Sequence, residues 1–214
     1  MNFNPLLFEQ FCYRREAVLS YIRQSLAVEY KSIMLQDIYR RGIKPDFMVR
    51  SVALSTHVDA SMVLDIINYD KLSDIKHIKS GILVPSDPRN FGFDYIVRYP
   101  VVSGNDYIDV YFQIRYSDDG VTTKIYNKNI SSCLRHCKNA SNGKPFVFVM
   151  YGWREKADRI SVPDNCVIYD RASLASEFGP TLAQFLSVLE LSPTRYGSNS
   201  NPLVSSSISS SSSS

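Results

Sequence analysis

The run Phe146–Tyr151 reads Phe-Val-Phe-Val-Met-Tyr, six apolar or aromatic residues with no polar alternation. A strand of this kind is covered on both faces, so the chain must place a layer of structure on each side of it. Upstream, Tyr107–Tyr116 behaves differently: Ile108, Val110, Phe112 and Ile114 alternate with Asp109, Tyr111, Gln113 and Arg115. Successive strand residues point to opposite faces, so one face of this strand is apolar and the other carries its polar residues. Together these two segments predict an α/β chain built on a mixed sheet with helices on both sides.

The remaining elements are arranged around that sheet. Leu7, Phe8, Phe11, Ala17, Val18, Tyr21, Ile22 and Leu26 recur at spacings of three and four, which predicts an N-terminal helix. Ile33, Met34, Ile38 and Tyr39 predict a second helix over about 28–41, stopped near Gly42. Val58, Met62, Val63, Ile66 and Ile67 predict a third, with Ser55 or Thr56 as its cap. As the second helix of a helix-turn-helix, 55–70 would be ill suited to a DNA groove, since it holds Asp59, Asp65 and Asp70 and no Lys or Arg. Strands are expected at 81–84, 91–99, 107–116, 146–151 and 166–169, with a hairpin turn at Ser103–Asp106. Helices are expected at 125–138 and within 174–191, the latter around Leu182, Phe185, Leu186 and Leu189. The chain thus divides into a helical N-terminal extension (1–80), an α/β domain (81–191) and a tail (192–214). Twelve of the 23 tail residues are Ser. So little apolar surface does not offset the entropy of ordering, and the tail is expected to be disordered.

Several function classes have no anchor here. No run of about 18 apolar residues occurs, no basic-then-apolar leader opens the chain, and four cysteines in 214 residues do not form a disulfide framework. The expectation is a soluble intracellular domain with reduced thiols and no membrane partner. Phosphate-binding glycine loops, a Gly-x-Ser-x-Gly elbow and a His-Glu-x-x-His helix are all missing. Cys133, His136 and Cys137 share a helix face at metal-ligand spacing without an evident fourth ligand, and buried thiols are the simpler reading. The two Asn-x-Ser sequons at Asn129 and Asn139 are read as chance matches. Net charge is only +3, but residues 115–160 hold nine Lys or Arg against four Asp or Glu. A local excess of this kind suits phosphate backbones.

The segment 85–116 carries the chemistry. A metal-dependent nuclease needs a carboxylate at one strand end and, on the next strand, an acceptor and a cation two residues apart on one face. Asp94 supplies the first, Gln113 and Arg115 form the i, i+2 pair, and Asp109 lies on their face four residues earlier. Pro88, Asn90-Phe91-Gly92-Phe93-Asp94 and Phe112-Gln113-Ile114, followed by a helix and the apolar strand, resemble the PD-(D/E)XK restriction-endonuclease-like superfamily. Within it the crinkler and retrotransposon-hot-spot type is the nearest likeness, over roughly 81–191. The resemblance implies a nuclease-like domain acting on DNA or RNA with Mg²⁺, catalytic Asp94, Gln113 and Arg115, metal ligands Asp94 and Asp109 or Glu29, and a nuclear setting. Departures weaken the chemistry: Gln stands at 113 where Glu is usual, and Arg at 115 where Lys is usual. Gln brings no charge to a metal, and Arg cannot act as a base. Lys124, Lys128, Arg135 and Lys138, with Arg115, would line the rim of the cleft as phosphate contacts. Tyr111, Tyr116 and Tyr126 could stack on bases. The rival reading is a non-catalytic protein-interaction module on the same scaffold.

Overall fold

A computed structural model of the chain describes residues 5–26, 31–42, 52–87, 92–103, 106–115, 123–152 and 162–179, without the side chains of Pro5, Arg115, residues 123–126 and Arg171. The elements run α1 (Pro5–Leu26), β1 (Ser32–Met34), α2 (Leu35–Ile38), β2 (His57–Asp59), β3 (Ile66–Tyr69), β4 (Gly81–Pro85), β5 (Tyr95–Pro100), β6 (Tyr107–Arg115), α3 (Thr123–Ala140), β7 (Phe146–Gly152), β8 (Cys166–Tyr169) and α4 (Arg171–Phe178).

Six strands form one mixed sheet in chain order, β3-β4-β5-β6-β7-β8. Both β4–β5 and β5–β6 are antiparallel, whereas β3–β4, β6–β7 and β7–β8 are parallel. The parallel step from β6 to β7 needs a crossover, and α3 supplies it. Strands β4 to β8 each feed two cores through their pleat. Val97, Tyr99, Val110, Phe112, Val147, Val149, Val167 and Tyr169 pack with Cys12 of α1, Leu35 of α2 and Leu174 of α4. Ile96, Tyr111, Phe146, Phe148, Met150, Cys166 and Ile168 pack instead with Ile130, Cys133 and Cys137 of α3 and with Ile75. All seven residues of β7 are buried, as its unbroken apolar run demands.

The N-terminal third departs from the helical expectation. Ser32–Met34 is a strand, antiparallel to His57–Asp59, and the helix that follows it is only four residues long. The helix expected over 58–67 is absent: those residues contribute β2 and β3. The helical spacing there was fortuitous, since Val58 is buried while Met62, Val63 and Ile66 are exposed. Across residue 80, β3 pairs with β4, Ile66 opposite Ile82. The expected continuation of α4 to Leu191 and the Ser-rich tail lie outside the described residues, as does Tyr116.

Candidate functional site

Asp94 stands one residue ahead of β5, and its backbone N–H donates to the Phe112 carbonyl (2.7 Å), which carries the ladder with β6 one step further. Its carboxylate therefore lies beside Gln113. The Gln113 amide Nε2 donates to both Asp94 oxygens (2.9 and 2.8 Å), and the backbone N–H of Ile114 donates to Oδ2. The other end of the amide, Oε1, accepts from the Cys133 thiol of α3 at 3.8 Å. Two residues before Asp94, Gly92 adopts φ +72°, and a Cβ there would stand 2.8 Å from His136 Cδ2. The left-handed glycine lets the chain pass under α3 and deliver Asp94 to the sheet.

The α1 side of Asp94 is acidic too. Burial pushes the Cys12 thiol well up, and Glu16, Asp94 and Glu9 raise it further against the pull of Arg15. Glu9, one helical turn before Cys12, is thus an acidic residue that α1 brings toward this end of the sheet. It went unnoticed in the sequence because nothing local marks it. Glu29, the residue expected in such a role, lies outside the described residues.

Asp109 does not join this group. It sits four residues along β6, roughly 13 Å at about 3.3 Å per residue, opposite Arg98 of β5. Arg98 Nε and Nη2 donate to its two oxygens at 2.7 and 2.9 Å, and both side chains are under a tenth exposed. Arg98 Nη1 also donates to the carbonyls of Ile75 (2.6 Å) and Ile78 (2.9 Å), and its guanidinium lies 3.8 Å from the centre of the Tyr107 ring. With both oxygens taken by a fork of N–H donors, Asp109 is a structural counter-ion rather than the metal ligand expected for it. The sequence did not give this pairing, since a hairpin closed at Ser103–Asp106 would have set residue 98 opposite residue 111, whereas the observed register closes two residues shorter and sets it opposite residue 109.

Arg115 ends β6 opposite Gly152; its side chain, like that of Lys124, is outside the description. Lys128, Arg135 and Lys138 are exposed on one side of α3, whereas Ile130, Cys133 and Cys137 face the sheet. The basic residues therefore occupy the outer face of α3 and do not rim a cleft at Gln113. Tyr111 is fully buried against Phe93 and Phe146, which removes it from base stacking. None of the four cysteines forms a disulfide, all are buried, and burial pushes the thiols of Cys137 and Cys166 up, away from the thiolate that metal ligation requires. His136 is exposed, turned away from Cys133 and Cys137 toward Gly92. Among the described residues no group of three or more His, Cys, Asp or Glu is placed to hold a metal, and no helix is long and apolar enough to cross a membrane.

A second polar cluster lies between α1 and the other sheet face. Glu16 is 2% exposed, its Oε1 lies 3.6 Å from Arg15 Nη1, and its Oε2 has no hydrogen-bond partner. Tyr39 and Tyr99 share a hydrogen bond of 3.0 Å, and Arg23 donates to the Tyr99 hydroxyl at 3.5 Å. Ser20 accepts from the backbone N–H of Leu64. Comparison with protein-family models, curated proteins and solved structures finds no match to this chain.

Proposed function

We propose that this chain is a nucleic-acid-binding domain on a restriction-endonuclease-like scaffold whose cleavage chemistry has lapsed. The observation that carries the reading is the Asp94–Gln113 pair. An acidic residue entering β5 meets the second-last strand position but one of β6, with a cation position two residues on, in a sheet flanked by α1 and α3. The antiparallel strands β4, β5 and β6 are followed by the crossover helix α3 and the parallel strand β7, and the resemblance likewise runs from the Asp94 and Gln113 strands to a helix and an apolar strand.

The donor set at Asp94 does not fit Mg²⁺. The ion takes oxygen ligands and gives up water reluctantly, commonly to one or two carboxylates plus phosphate. Here the amino end of Gln113 faces the carboxylate and occupies both its oxygens, while its carbonyl end is turned to Cys133. Gln113 thus acts as a neutral substitute for a cation, holding Asp94 closed. What remains for nucleic acid is charge. Helix α3 carries Lys124, Lys128, Arg135 and Lys138 and no Asp or Glu in 18 residues, and its last turn is basic, which complements the helix dipole. Contacts of this type neutralise phosphates and bind DNA or RNA with little sequence readout.

The test is anisotropy of labelled single- and double-stranded DNA and RNA across a salt series, with Mg²⁺ or EDTA. The expected result is salt-sensitive binding without cutting, and a salt slope that falls by about one for each of Lys128→Ala, Arg135→Ala and Lys138→Ala. Binding that these variants leave unchanged, or no binding at all, would sink the reading. Mg²⁺-dependent cutting abolished by Asp94→Ala would instead restore an active nuclease.

A further inference from the structure

The chain makes two parallel crossovers on the α3 side of the sheet. Two antiparallel steps separate β4 from β6, so β3, β4, β6 and β7 all point the same way. The connections from β3 to β4 and from β6 to β7 also advance in the same direction through the sheet. Right-handed connection then places both crossovers on one face. The packing agrees: Ile75, with Leu72 and Ile78 beside it, joins the core lined by Ile130, Cys133 and Cys137 of α3.

The first crossover, residues 70–80, is short and firmly held. Its turns are closed by the Asp74 N–H on the Lys71 carbonyl (2.9 Å) and the Ile78 N–H on the Ile75 carbonyl (3.2 Å). The Asp74 carboxylate turns back onto the same loop, accepting from the Lys71 backbone N–H (2.9 Å) and the Ser73 hydroxyl (3.0 Å). From the sheet, Arg98 of β5 grips the loop through the Ile75 and Ile78 carbonyls. With its apolar side chains turned inward, the loop leaves Lys71, Lys76, His77 and Lys79 exposed, against Asp70 and Asp74. Lys79 also helps Lys144 hold the Asp106 carboxyl below its ordinary value, so Lys71 and Lys76 are the cleaner probes.

Two basic rows thus lie side by side. Helix α3 packs on β7 and the loop is anchored on β5, with β6 between them. At about 4.8 Å per strand the rows are about 10 Å apart. Lys128 to Lys138 covers about 15 Å of helix. The loop descends four strand steps, from Tyr69 opposite Pro85 to Gly81, about 13 Å. A single strand of nucleic acid offers one line of phosphates, whereas a duplex offers two, facing each other across grooves about 6 and 12 Å wide. We propose that duplex nucleic acid lies on this face, one phosphate line on Lys128, Arg135 and Lys138 and the other on Lys71, Lys76 and Lys79. This rests on the nucleic-acid reading above, to which it adds the second row and the double strand.

Anisotropy across a salt series, with the full chain, would use duplex DNA, duplex RNA of the same sequence and a single strand of each. On a duplex, Lys71→Ala and Lys76→Ala should each lower the salt slope by about 0.9, and on single strands they should leave it unchanged. Lys76→Arg should keep the parental slope, because it keeps the charge; a fall equal to that of Lys76→Ala overturns the phosphate contact. A loop effect on either duplex supports the proposal, and the duplex that shows it identifies DNA or RNA as the partner. Duplex slopes that fall for the α3 variants but not for the loop variants overturn the second row and leave the nucleic-acid reading standing. Equal falls on duplexes and single strands overturn the double strand. Absence of binding to all four probes overturns both this proposal and that reading.

Discussion

Replacing Asp109 by Asn separates the structural role of this carboxylate from a catalytic one. The amide preserves shape but removes the charge opposite Arg98, whose guanidinium is 4% exposed. Arg98 would keep its bonds to the Ile75 and Ile78 carbonyls and one bond to the amide oxygen, while its other N–H donor would face the amide NH₂. Breaking one side of a buried pair leaves an uncompensated charge and costs about 3–5 kcal/mol. For a domain of this size 1 kcal/mol moves the midpoint by about 2–4 °C, so the melting temperature should fall by about 6–20 °C. Urea unfolding followed by circular dichroism measures the free energy, and calorimetry the midpoint. Replacing both partners, Arg98→Met with Asp109→Leu, should be less damaging than the two single costs added together, although the Ile75 and Ile78 carbonyls lose their donor. The reasoning fails if Asp109→Asn unfolds within about 1 kcal/mol of the parent while abolishing a Mg²⁺-induced rise in melting temperature. Asp109 would then serve a metal and not Arg98.

Two further perturbations probe the surroundings of the site. Burial raises the Glu16 carboxyl above its ordinary value, against the pull of Arg23 and Arg15. As pH rises from the unfolded value near 4.5, the unfolded chain releases this proton first, so Glu16 lowers stability until the folded pKa is passed and adds no further slope beyond it. Glu16→Gln should remove that slope and be the more stable form at pH 7 in urea titrations at pH 4–8; a less stable variant at pH 7 would show that the ionised pair with Arg15 dominates. Gly92→Ala should cost about 1–3 kcal/mol, from left-handed backbone strain and from the 2.8 Å approach of the new Cβ to His136. Adding His136→Ala should recover only the steric part, as read by denaturant midpoints; full recovery would show that φ at residue 92 is not strained.

Strands β4 to β8 of the central sheet were legible because their signal is local. An unbroken apolar run demands burial on both faces whatever its partners, and the β6 alternation survives intact, with Val110 and Phe112 in one core and Tyr111 in the other. Helix α1 was equally plain from its spacing of three and four, and α3 was expected over 125–138. Short elements of the N-terminal third were not. Residues 57–59 and 66–69 are strands only because β1 and β4 offer them backbone partners, and a four-residue strand holds too few residues to fix a period. The candidate site divides in the same way. Sequence alone determined that Asp109, Tyr111 and Gln113 share a face and that α3 is basic, since both follow from periodicity and composition. Tertiary structure decided that Asp109 is consumed by Arg98, that Gln113 turns its amino end to Asp94, and that the basic face of α3 points away from them both. Those outcomes depend on which groups meet across strands and layers, and a hydrogen bond in a buried, low-dielectric setting commits a side chain to one partner at the expense of every other.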